Sequence, residues 1–140
     1  MTASSTVSTT AIPDLELVHR GKVRDVYKID DDRLLLVATD RLSAFDCILP
    51  TPIKHKGHVL TALSRFWFKR LAHIVPNHYI TSDFEKMPEE VKKYPELRGR
   101  STMVKAATVF PVECVVRGYL EGSGWKDYQL TKKVCGHDLP

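Results

Sequence analysis

Between residues 15 and 39, two short segments alternate apolar and polar side chains and a third is apolar enough for a buried strand, and this pattern constrains the fold more than any other feature. The segments are residues 15–19, 23–29 and 33–39, with short polar turns between them. A period of two is typical of half-buried strands, and short turns join antiparallel neighbours. In the second segment one face carries Val23, Asp25, Tyr27 and Ile29, and the other carries Arg24, Val26 and Lys28. The sequence therefore predicts an antiparallel meander whose first turn contains Gly21.

The composition is that of a globular chain without a membrane span. The 140 residues are 43% hydrophobic and 27% charged, which suffices for about one domain with a modest core. The longest apolar run, residues 34–38, is far short of the roughly 20 residues that a span needs. No aromatic-basic repeat accompanies the net charge of +4. We therefore expect small-molecule partners, with no nucleic acid and no membrane, and the oligomeric state stays open.

Cysteine usage and the N-terminus indicate a cytoplasmic protein. Cys47, Cys114 and Cys135 are widely spaced, and their odd number favours free thiols in a reducing compartment. Residues 1–12 are rich in serine and threonine and contain no basic side chain, which argues against secretory or mitochondrial targeting. We expect these residues to form a disordered tail. The one close histidine pair has no acid or thiol beside it, so no residue is assigned as a metal ligand.

The rest of the sequence predicts a mixture of helices and strands. A helix is expected over residues 58–74, and we assign its apolar stripe to the core: Leu60, Leu63, Phe66, Trp67, Leu71 and Ile74. The further elements expected are a short strand at 78–81, a short helix after Pro88, one or two strands across 103–117 broken at Pro111, a helix starting near Ser123, and a loop from Thr131. No finished element precedes Pro140, so we expect a piece of a longer enzyme.

The turn around Gly21 is a candidate phosphate site. Glycine lets the backbone approach a ligand closely, and Lys22 and Arg24 stand two residues apart, so both lean to one side of an extended chain. A compact ammonium and a rigid guanidinium fork together suit a polyphosphate. A single glycine is not a Walker loop, however, and an ordinary hairpin turn with surface charges is the alternative.

A second glycine-bearing segment, residues 111–125, is another candidate anion site. Arg117 is expected to end a strand, roughly 13 Å from Glu113 if the strand is straight, so the two cannot pair. Arg117 is placed to bind a phosphate or carboxylate, or else to pair with an acid elsewhere. Ser123 lies between two glycines at a helix start. There it can act as the N-cap, and the helix N–H groups can bind an anion; the two interpretations are compatible.

A polar loop after the third strand is the third candidate. Asp40, Arg41, Ser43 and Asp46 fall within seven residues there. Loops at strand ends often carry ligand sites, but such side chains also bond their own backbone in turns. The sequence leaves both interpretations open, and it identifies no catalytic residue.

Four motifs, in order along the chain, resemble one known family. They are RGKVRDVY at 20–27, ATDRLSAFD at 38–46, KG at 56–57 with LSRFWF at 63–68, and PVECVVRGYLEGSGWKDY at 111–128. Together they resemble the phosphoribosylaminoimidazole-succinocarboxamide synthase (SAICAR synthetase) family of purine biosynthesis, over about residues 15–128. The last motif is specific to that family.

The resemblance implies a fold and a reaction. The implied fold is α+β, related to ATP-grasp and kinase-like enzymes, with an antiparallel β-sheet lobe for ATP and the start of a truncated second lobe. The implied enzyme is an ATP-dependent amide ligase, which phosphorylates carboxyaminoimidazole ribonucleotide so that L-aspartate can attack the acyl phosphate. ATP and Mg²⁺ are the implied cofactors. The family's metal-binding carboxylates are expected in a later half, so we expect the isolated 140 residues to be inactive.

The resemblance also assigns residues by position. The ATP-binding residues are Gly21, Lys22, Val23, Arg24, Val26, Lys105 and Ala107, and the substrate-binding residues are Ser43, Asp46, Arg117 and Ser123. The expected domains are a tail at 1–12, the ATP-binding lobe at 13–106, and a connector with the beginning of a substrate-binding lobe at 107–140. The alternatives are a non-catalytic nucleotide-binding fragment and, from another class, a basic nucleic-acid-binding module.

Overall fold

The computed structural model describes residues 6–139, which divide into two compact units. The first unit ends at Ala107 and the second begins at Thr108, beside the limit expected between the two lobes. The first unit contains the large sheet and the long helix, and the second contains one helix and a small hairpin. Within residues 6–139, no helix has the length and apolar character needed to cross a membrane.

The first unit is built on a five-stranded antiparallel sheet. In chain order its elements are β1 (Glu16–Arg20), β2 (Arg24–Lys28), β3 (Arg33–Ala38), β4 (Ser43–Ala44), β5 (Cys47–Ile48), α1 (Lys56–Leu71), β6 (Tyr79–Thr81), α2 (Glu89–Lys92) and β7 (Ser101–Lys105). The sheet order is β1-β2-β3-β7-β6, and β4 pairs separately with β5. The predicted meander is confirmed, because short turns favour pairing in sequence order. The strand expected at 78–81 and the helix expected after Pro88 are present as β6 and α2.

One face of the sheet forms the core of the first unit. Tyr27 stands opposite Leu35, and Leu35 stands opposite Met103, so the three side chains share this face. They pack with residues from the connections: Ile12, Phe84, Met87, Val91 and Leu97. Burying a leucine or valine side chain fully stabilises a fold by about 1.5–3 kcal/mol. The alternation predicted within β2 is therefore confirmed, with Val26 and Arg24 on the opposite face.

Residues 6–12 pack against this unit and are not a tail. Val7, Thr10 and Ile12 are buried. The Thr10 hydroxyl donates a hydrogen bond to Asp25 at 2.6 Å, and the N–H of Val7 donates to Asp40 at 2.9 Å. The expected disorder is wrong for these residues, because the buried contacts offset the entropy lost on ordering. The remainder of the expected tail, residues 1–5, lies outside the described residues.

The long helix α1 lies against the opposite face of the sheet. It starts at Lys56, two residues earlier than predicted, and ends at Leu71. Gly57 and Thr61 are its buried residues. A side chain at position 57 would not fit, because a Cβ atom there would lie 2.3 Å from the carbonyl oxygen of Ala38. The glycine therefore sets how closely α1 approaches β3.

The apolar stripe of α1 does not belong to the core of this chain. Leu63, Phe66, Trp67 and Leu71 are all exposed, and the fraction reaches 53% for Trp67. The assignment of this stripe to the core was therefore wrong within the described residues. Periodicity shows that a helix has an apolar side, but it does not show which partner covers that side.

The secondary structure of the second unit differs from the prediction at two places. It contains α3 (Gly122–Thr131) and a hairpin of β8 (Lys133–Val134) with β9 (His137–Asp138), so the loop expected after Thr131 is largely a hairpin. The strand expected across 110–117 is wrong, since no described strand pairs there and Val116 is 98% exposed. A lone strand in water has no neighbour to bond its backbone groups.

We expect the substitution Gly57→Ala to destabilise the first unit by about 1–3 kcal/mol, because overpacking forces α1 away from β3. Gly118→Ala is the matched control, since an added Cβ there meets no atom within 4 Å. Urea unfolding of both variants measures the difference. Equal stability of the two variants would contradict the close approach of α1 to β3.

Candidate functional site

Arg41 holds the turn between β1 and β2 from one side. Its guanidinium donates to the carbonyl oxygen of Gly21 at 2.8 Å and to that of Lys22 at 3.1 Å. The same group donates to a carboxylate oxygen of Asp25 at 2.7 Å. Within the turn, the N–H of Gly21 donates to the carbonyl oxygen of Arg24 at 2.8 Å. The turn that the sequence singled out is therefore held in one shape by a residue that the sequence did not assign to it.

Asp25 is the buried counter-ion of Arg41. Burial by itself would raise the pKa of Asp25. The hydrogen bonds from Arg41 and Thr10, with the charge of the more distant Arg20, outweigh burial and bring the pKa of Asp25 below its ordinary value. Asp25 is therefore ionised at neutral pH, and the Arg41–Asp25 pair ties the turn to the sheet.

Asp40, the residue before Arg41, anchors α1 in the same way. It pairs with the buried Arg100 at 3.1 Å and accepts the N–H of Gly57 at 2.9 Å. Burial would raise the pKa of Asp40, but the hydrogen bonds from Arg100 and two backbone N–H groups lower it. Arg100 also contacts Nδ1 of His58 at 3.2 Å. Burial, followed by the charge of Arg100, lowers the pKa of His58, so this imidazole is neutral and accepts from the guanidinium.

Lys22 and Arg24 belong to the turn and to the start of β2, and Lys56 lies within electrostatic range of Arg24. Lys22 pairs with Asp46, and this hydrogen bond lowers the pKa of Asp46. Arg24 forms no ion pair within residues 6–139. Burial, and next the repulsion by Arg24, lowers the pKa of Lys56. Cations that repel one another in this way favour an anion beside them.

Lys56 is a candidate site residue that the sequence reasoning missed. It belongs to the Lys-Gly pair that helped to identify the family resemblance, but it was given no role. Its signal is its position directly before Gly57, the glycine that brings the start of α1 against β3. Only the fold brings this lysine within electrostatic range of Arg24.

The polar loop expected at 40–46 is partly a two-residue hairpin. β4 pairs with β5 through Ser43 and Ile48. Phe45 and Asp46 form the turn with φ of 48° and 64°, the left-handed geometry that a type I′ turn requires. The structure thus brings the predicted substrate residue Asp46 into contact with the predicted ATP residue Lys22. Ser43 is half-buried in β4, on the strand that leads to this turn.

An apolar cavity of about 180 Å³ lies between the sheet and α1. Leu36 and Val104 line it from the sheet, Phe68 lines it from α1, and Arg24 also lines it. Val26 stands opposite Leu36 on the same face of the sheet. This volume is below the roughly 300–1,000 Å³ of a typical small-molecule pocket, so the cavity accommodates only part of a ligand. Alternation within the strands places Leu36 and Val104 on this face, although the sequence reasoning did not name them.

The connector after β7 offers one backbone donor among the predicted residues. The N–H of Lys105 donates to the carbonyl oxygen of His78 at 2.8 Å, and the N–H of Ala106 donates to that of Asp32 at 2.7 Å. Ala107 is the first connector residue whose N–H has no backbone acceptor in the described part of the chain. Of the predicted pair Lys105 and Ala107, Ala107 is therefore the residue with an N–H available to a ligand.

The second unit contains the predicted residues Arg117 and Ser123. Arg117 lies 3.9 Å from Glu121, and its guanidinium would lie 3.1 Å from a Cβ atom at Gly122. Glu121 is the N-cap of α3 and caps it with no side-chain hydrogen bond, so the assignment of Ser123 as N-cap was wrong. Gly122 has φ of 61°, a conformation that glycine adopts more readily than serine. Because α3 begins at Gly122, Ser123 lies within the first helical turn, where the N–H groups lack helical acceptors.

An antiparallel sheet, a fixed glycine-bearing turn and a cavity with cations beside it define an α+β protein with a candidate phosphate site. The profile of the SAICAR synthetase family matches residues 17–138. This chain therefore belongs to the SAICAR synthetase family. The predicted fold class is confirmed by the solved structures that it resembles.

The similar proteins are about twice as long as this chain. A phosphoribosylaminoimidazole-succinocarboxamide synthase of Maridesulfovibrio salexigens is 54% identical over 138 residues, which are 98% of this chain and 46% of that protein. The protein of the same name from Thioalkalivibrio sulfidiphilus is 57% identical over 92% of this chain and 44% of its own length. This chain thus spans about half the length of the curated relatives it matches.

Solved structures of the same family are also similar to this chain over about half of their own length. A SAICAR synthase structure has a TM-score of 0.88 at 43% identity and covers 97% of this chain, which matches 48% of that structure. The enzyme of Saccharomyces cerevisiae complexed with SAICAR has a TM-score of 0.81 at 40% identity, covering 99% and 48%. A type-2 SAICAR synthetase in complex with ADP has a TM-score of 0.63 at 29% identity, covering 89% and 46%.

We expect Arg41→Ala to lower the free energy of unfolding by about 3–5 kcal/mol at pH 7, because it leaves Asp25 buried and unpaired. In the wild type the lowered pKa of Asp25 stabilises the fold above about pH 4, and this stabilisation is lost as the pH falls through the folded-state pKa. In the variant, burial raises the pKa of Asp25. The difference in the free energy of unfolding between wild type and variant therefore shrinks on acidification. Urea unfolding between pH 7 and pH 3 measures it.

Arg20→Ala is the control for this prediction. Arg20 is half-exposed and lies 3.5 Å from Asp25, so its loss should cost less than about 1 kcal/mol. A deficit in Arg41→Ala that stays constant across the pH range would rule out Asp25 as the partner that matters.

Proposed function

We propose that this chain supplies the ATP-binding lobe and part of the substrate site of an ATP-dependent carbon–nitrogen ligase. The reaction joins L-aspartate to carboxyaminoimidazole ribonucleotide and gives SAICAR, ADP and phosphate. The observation that carries the proposal is the family match over residues 17–138, which includes every candidate site residue. The ADP and SAICAR named for two of the similar structures support the choice of ligands.

The turn between β1 and β2 is proposed to bind the phosphates of ATP. Gly21 and Val23 bring the backbone close to the ligand, and Lys22 and Arg24 neutralise its charge. Lys56 adds a third cation, because its lowered pKa reflects burial and then repulsion by Arg24, and an anion would relieve that repulsion. A turn already held by Arg41 loses little further freedom when the phosphates bind, which favours phosphoryl transfer.

The adenine ring is proposed to lie on the face of the sheet that carries Val26. Leu36 and Val104 widen this apolar surface, and the cavity between sheet and α1 opens onto it. The N–H of Ala107 is proposed to meet the polar edge of the ring, with Lys105 beside it. A flat apolar surface with one or two backbone contacts at its margin is the usual way that a pocket orients a planar ligand.

The ribonucleotide substrate is proposed to bind through Arg117 and Ser123. The ion pair of Arg117 with Glu121 is long, at 3.9 Å, so most of the guanidinium donors are available to a phosphate. The N–H groups at the start of α3 add donors beside Ser123. Within the first unit, Ser43 and Asp46 are proposed as further substrate-binding residues, and a phosphate at Lys22 would compete with Asp46 for that ammonium.

The proposed chemistry proceeds through an acyl phosphate. A carboxylate oxygen of the ribonucleotide attacks the terminal phosphorus of ATP, and the bond from that phosphorus to the bridging oxygen breaks to release ADP. The amino nitrogen of L-aspartate then attacks the acyl carbon and loses a proton, and inorganic phosphate leaves with the electron pair of the broken C–O bond. Lys22, Arg24 and Lys56 contribute by holding the phosphates and offsetting charge that develops during transfer.

Mg²⁺ would neutralise phosphate charge in such a reaction. Among residues 6–139 no group of three or more histidine, cysteine, aspartate or glutamate side chains is placed to hold a metal ion. The described residues therefore provide no side-chain cluster that would hold a metal ion without the phosphates of a ligand. The setting is proposed to be cytoplasmic, which agrees with three cysteines that are free and exposed.

We expect Arg24→Met to weaken ADP binding to this chain at least about tenfold, or about 1.4 kcal/mol, because an unpaired cation at the turn is lost. Arg65→Met, on the helix α1 and outside the turn, is the control and should bind ADP as the wild type does. Isothermal titration calorimetry measures both. An equal affinity for the two variants would remove the turn from the nucleotide site.

We expect the isolated chain to bind ADP without turning over. Incubation with ATP, Mg²⁺, L-aspartate and carboxyaminoimidazole ribonucleotide should release no ADP above background, because about half the length of the relatives is not represented. Turnover at an ordinary enzymatic rate would refute this expectation. The alternative, a non-catalytic nucleotide-binding protein, predicts no turnover even when the remaining portion of a relative is supplied.

A further inference from the structure

A short segment near the N-terminus contacts both of the buried ion pairs that hold the candidate site. We call residues 7–10 the N-terminal strap. Its Val7 exchanges two hydrogen bonds with Asp40: the N–H of Val7 donates to the carboxylate at 2.9 Å, and the N–H of Asp40 donates to the carbonyl oxygen of Val7 at 2.7 Å. The carbonyl oxygen of Ser8 accepts Nη1 of Arg41 at 2.5 Å. One short segment thus bonds two consecutive residues that anchor α1 and the turn.

Thr10, the last residue of the strap, fixes the orientation of the Asp25 carboxylate. One carboxylate oxygen accepts the Thr10 hydroxyl at 2.6 Å and the N–H of Thr10 at 3.3 Å. The other oxygen accepts the guanidinium of Arg41 at 2.7 Å. Because the two oxygens belong to one rigid planar group, holding the first determines the direction in which the second meets Arg41.

A buried chain of hydrogen bonds leads from Tyr27 to Arg41. An ionised carboxylate only accepts, so the single hydroxyl proton of Thr10 goes to Asp25. The Tyr27 hydroxyl lies 2.8 Å from the Thr10 hydroxyl and is therefore the donor to it. Tyr27 and Thr10 are 2% and 4% exposed, so the chain is shielded from water. Hydrogen bonds arranged in this way polarise and strengthen one another.

Arg41 determines which way the N–H groups of the turn point. The carbonyl oxygens of Gly21 and Lys22 both face its guanidinium. In a trans peptide the N–H points opposite to the C=O, and the described residues contain no cis peptide bond. The N–H groups of Lys22 and Val23 therefore point away from Arg41, and neither has an acceptor within residues 6–139. Successive N–H groups that face one side form an anion-binding concavity.

We propose that the N-terminal strap positions the phosphate-binding turn by orienting Asp25 and Arg41. The strap thereby keeps the N–H groups of Lys22 and Val23 directed at the ligand, although it does not contact the ligand itself. This role deepens the proposed function, from which the ligand is taken to be the phosphates of a nucleotide. Thr10 is the positioning residue of the strap, because its hydroxyl and its N–H are the strap's bonds to Asp25.

The test is isothermal titration calorimetry of ADP with variants of the whole chain. Thr10→Val keeps the shape of the side chain and removes its hydroxyl, so the affinity for ADP should fall about fivefold or more. Thr10→Ser keeps the hydroxyl and should restore most of the affinity. Thr9→Val is the matched control and should bind ADP as the wild type does, because Thr9 is exposed and makes no hydrogen bond within residues 6–139.

A role confined to stability predicts a different result. It would lower the free energy of unfolding in Thr10→Val and leave the ADP affinity of the folded chain unchanged, so circular dichroism is used to keep every titration under folding conditions. Adenosine, which lacks phosphates, should bind Thr10→Val and the wild type equally. An effect on ADP that is absent for adenosine therefore locates the role of Thr10 at the phosphate turn.

Hydrogen exchange without ligand measures the turn directly. The N–H of Gly21 donates to the carbonyl oxygen of Arg24 within the turn. Its exchange, followed by NMR, should be about fivefold or more faster in Thr10→Val than in Thr9→Val, because local opening of the turn becomes easier. Tyr27→Phe removes the other hydroxyl of the chain and keeps the ring in the core. It should change both measurements in the same direction, and it replaces Thr10→Val if that variant does not fold.

Two results would overturn the positioning role of the strap. The first is ADP binding that depends on Arg24 but is unchanged in both Thr10→Val and Tyr27→Phe. The second is an equal loss of affinity for ADP and for adenosine. A wild-type chain that binds no ADP, with faster exchange of the turn in Thr10→Val, would contradict the proposed function alone and support the positioning of the turn by the strap. Absence of both effects would contradict both proposals.

Discussion

Two buried ion pairs at the end of β3 determine how the candidate site is assembled. Asp40 pairs with Arg100 and holds the start of α1, whereas Arg41 pairs with Asp25 and holds the turn between β1 and β2. Because these anchors are consecutive in sequence, α1 and the glycine-bearing turn are fixed relative to the same strand. Buried charges are costly unless each is paired and hydrogen-bonded, so the arrangement admits few alternatives.

This constraint explains why the cations gather where they do. Arg41 is used internally, which leaves Lys22 and Arg24 in or beside the turn and Lys56 within electrostatic range of Arg24. Lys56 comes there because Gly57 lets α1 approach β3, and Asp40 binds the N–H of that glycine. Positive charge thus lies at and near a turn whose backbone is held by hydrogen bonds from Arg41. That combination suits a phosphate-bearing ligand, since the turn is already held in shape and only Lys22 has to exchange its partner Asp46 for the ligand.

The sequence predicted the local elements well and the partners of several elements poorly. The meander, β6 and α2 follow from alternation, turns and proline, all of which act within a few residues. The packing of Val7 and Ile12, the exposure of Trp67 and the absence of a strand across 110–117 depend on distant residues. The composition of the serine- and threonine-rich N-terminal segment predicts disorder, but buried aspartates accept its hydrogen bonds and order it. The apolar pattern of residues 110–117 predicts a strand, but no described strand lies beside it to bond its backbone groups.

The sequence by itself determined the family, the antiparallel meander and the two glycine-bearing segments, because each is written in contiguous residues. Only the tertiary structure decided that Arg41 holds the turn, that Lys56 lies near Arg24, and that the apolar stripe on α1 is left exposed. Those results depend on contacts between residues far apart in the chain. Sequence spacing does not specify such contacts. They form because a buried charge is costly unless it is paired, and because apolar side chains are stabilised by burial against other residues.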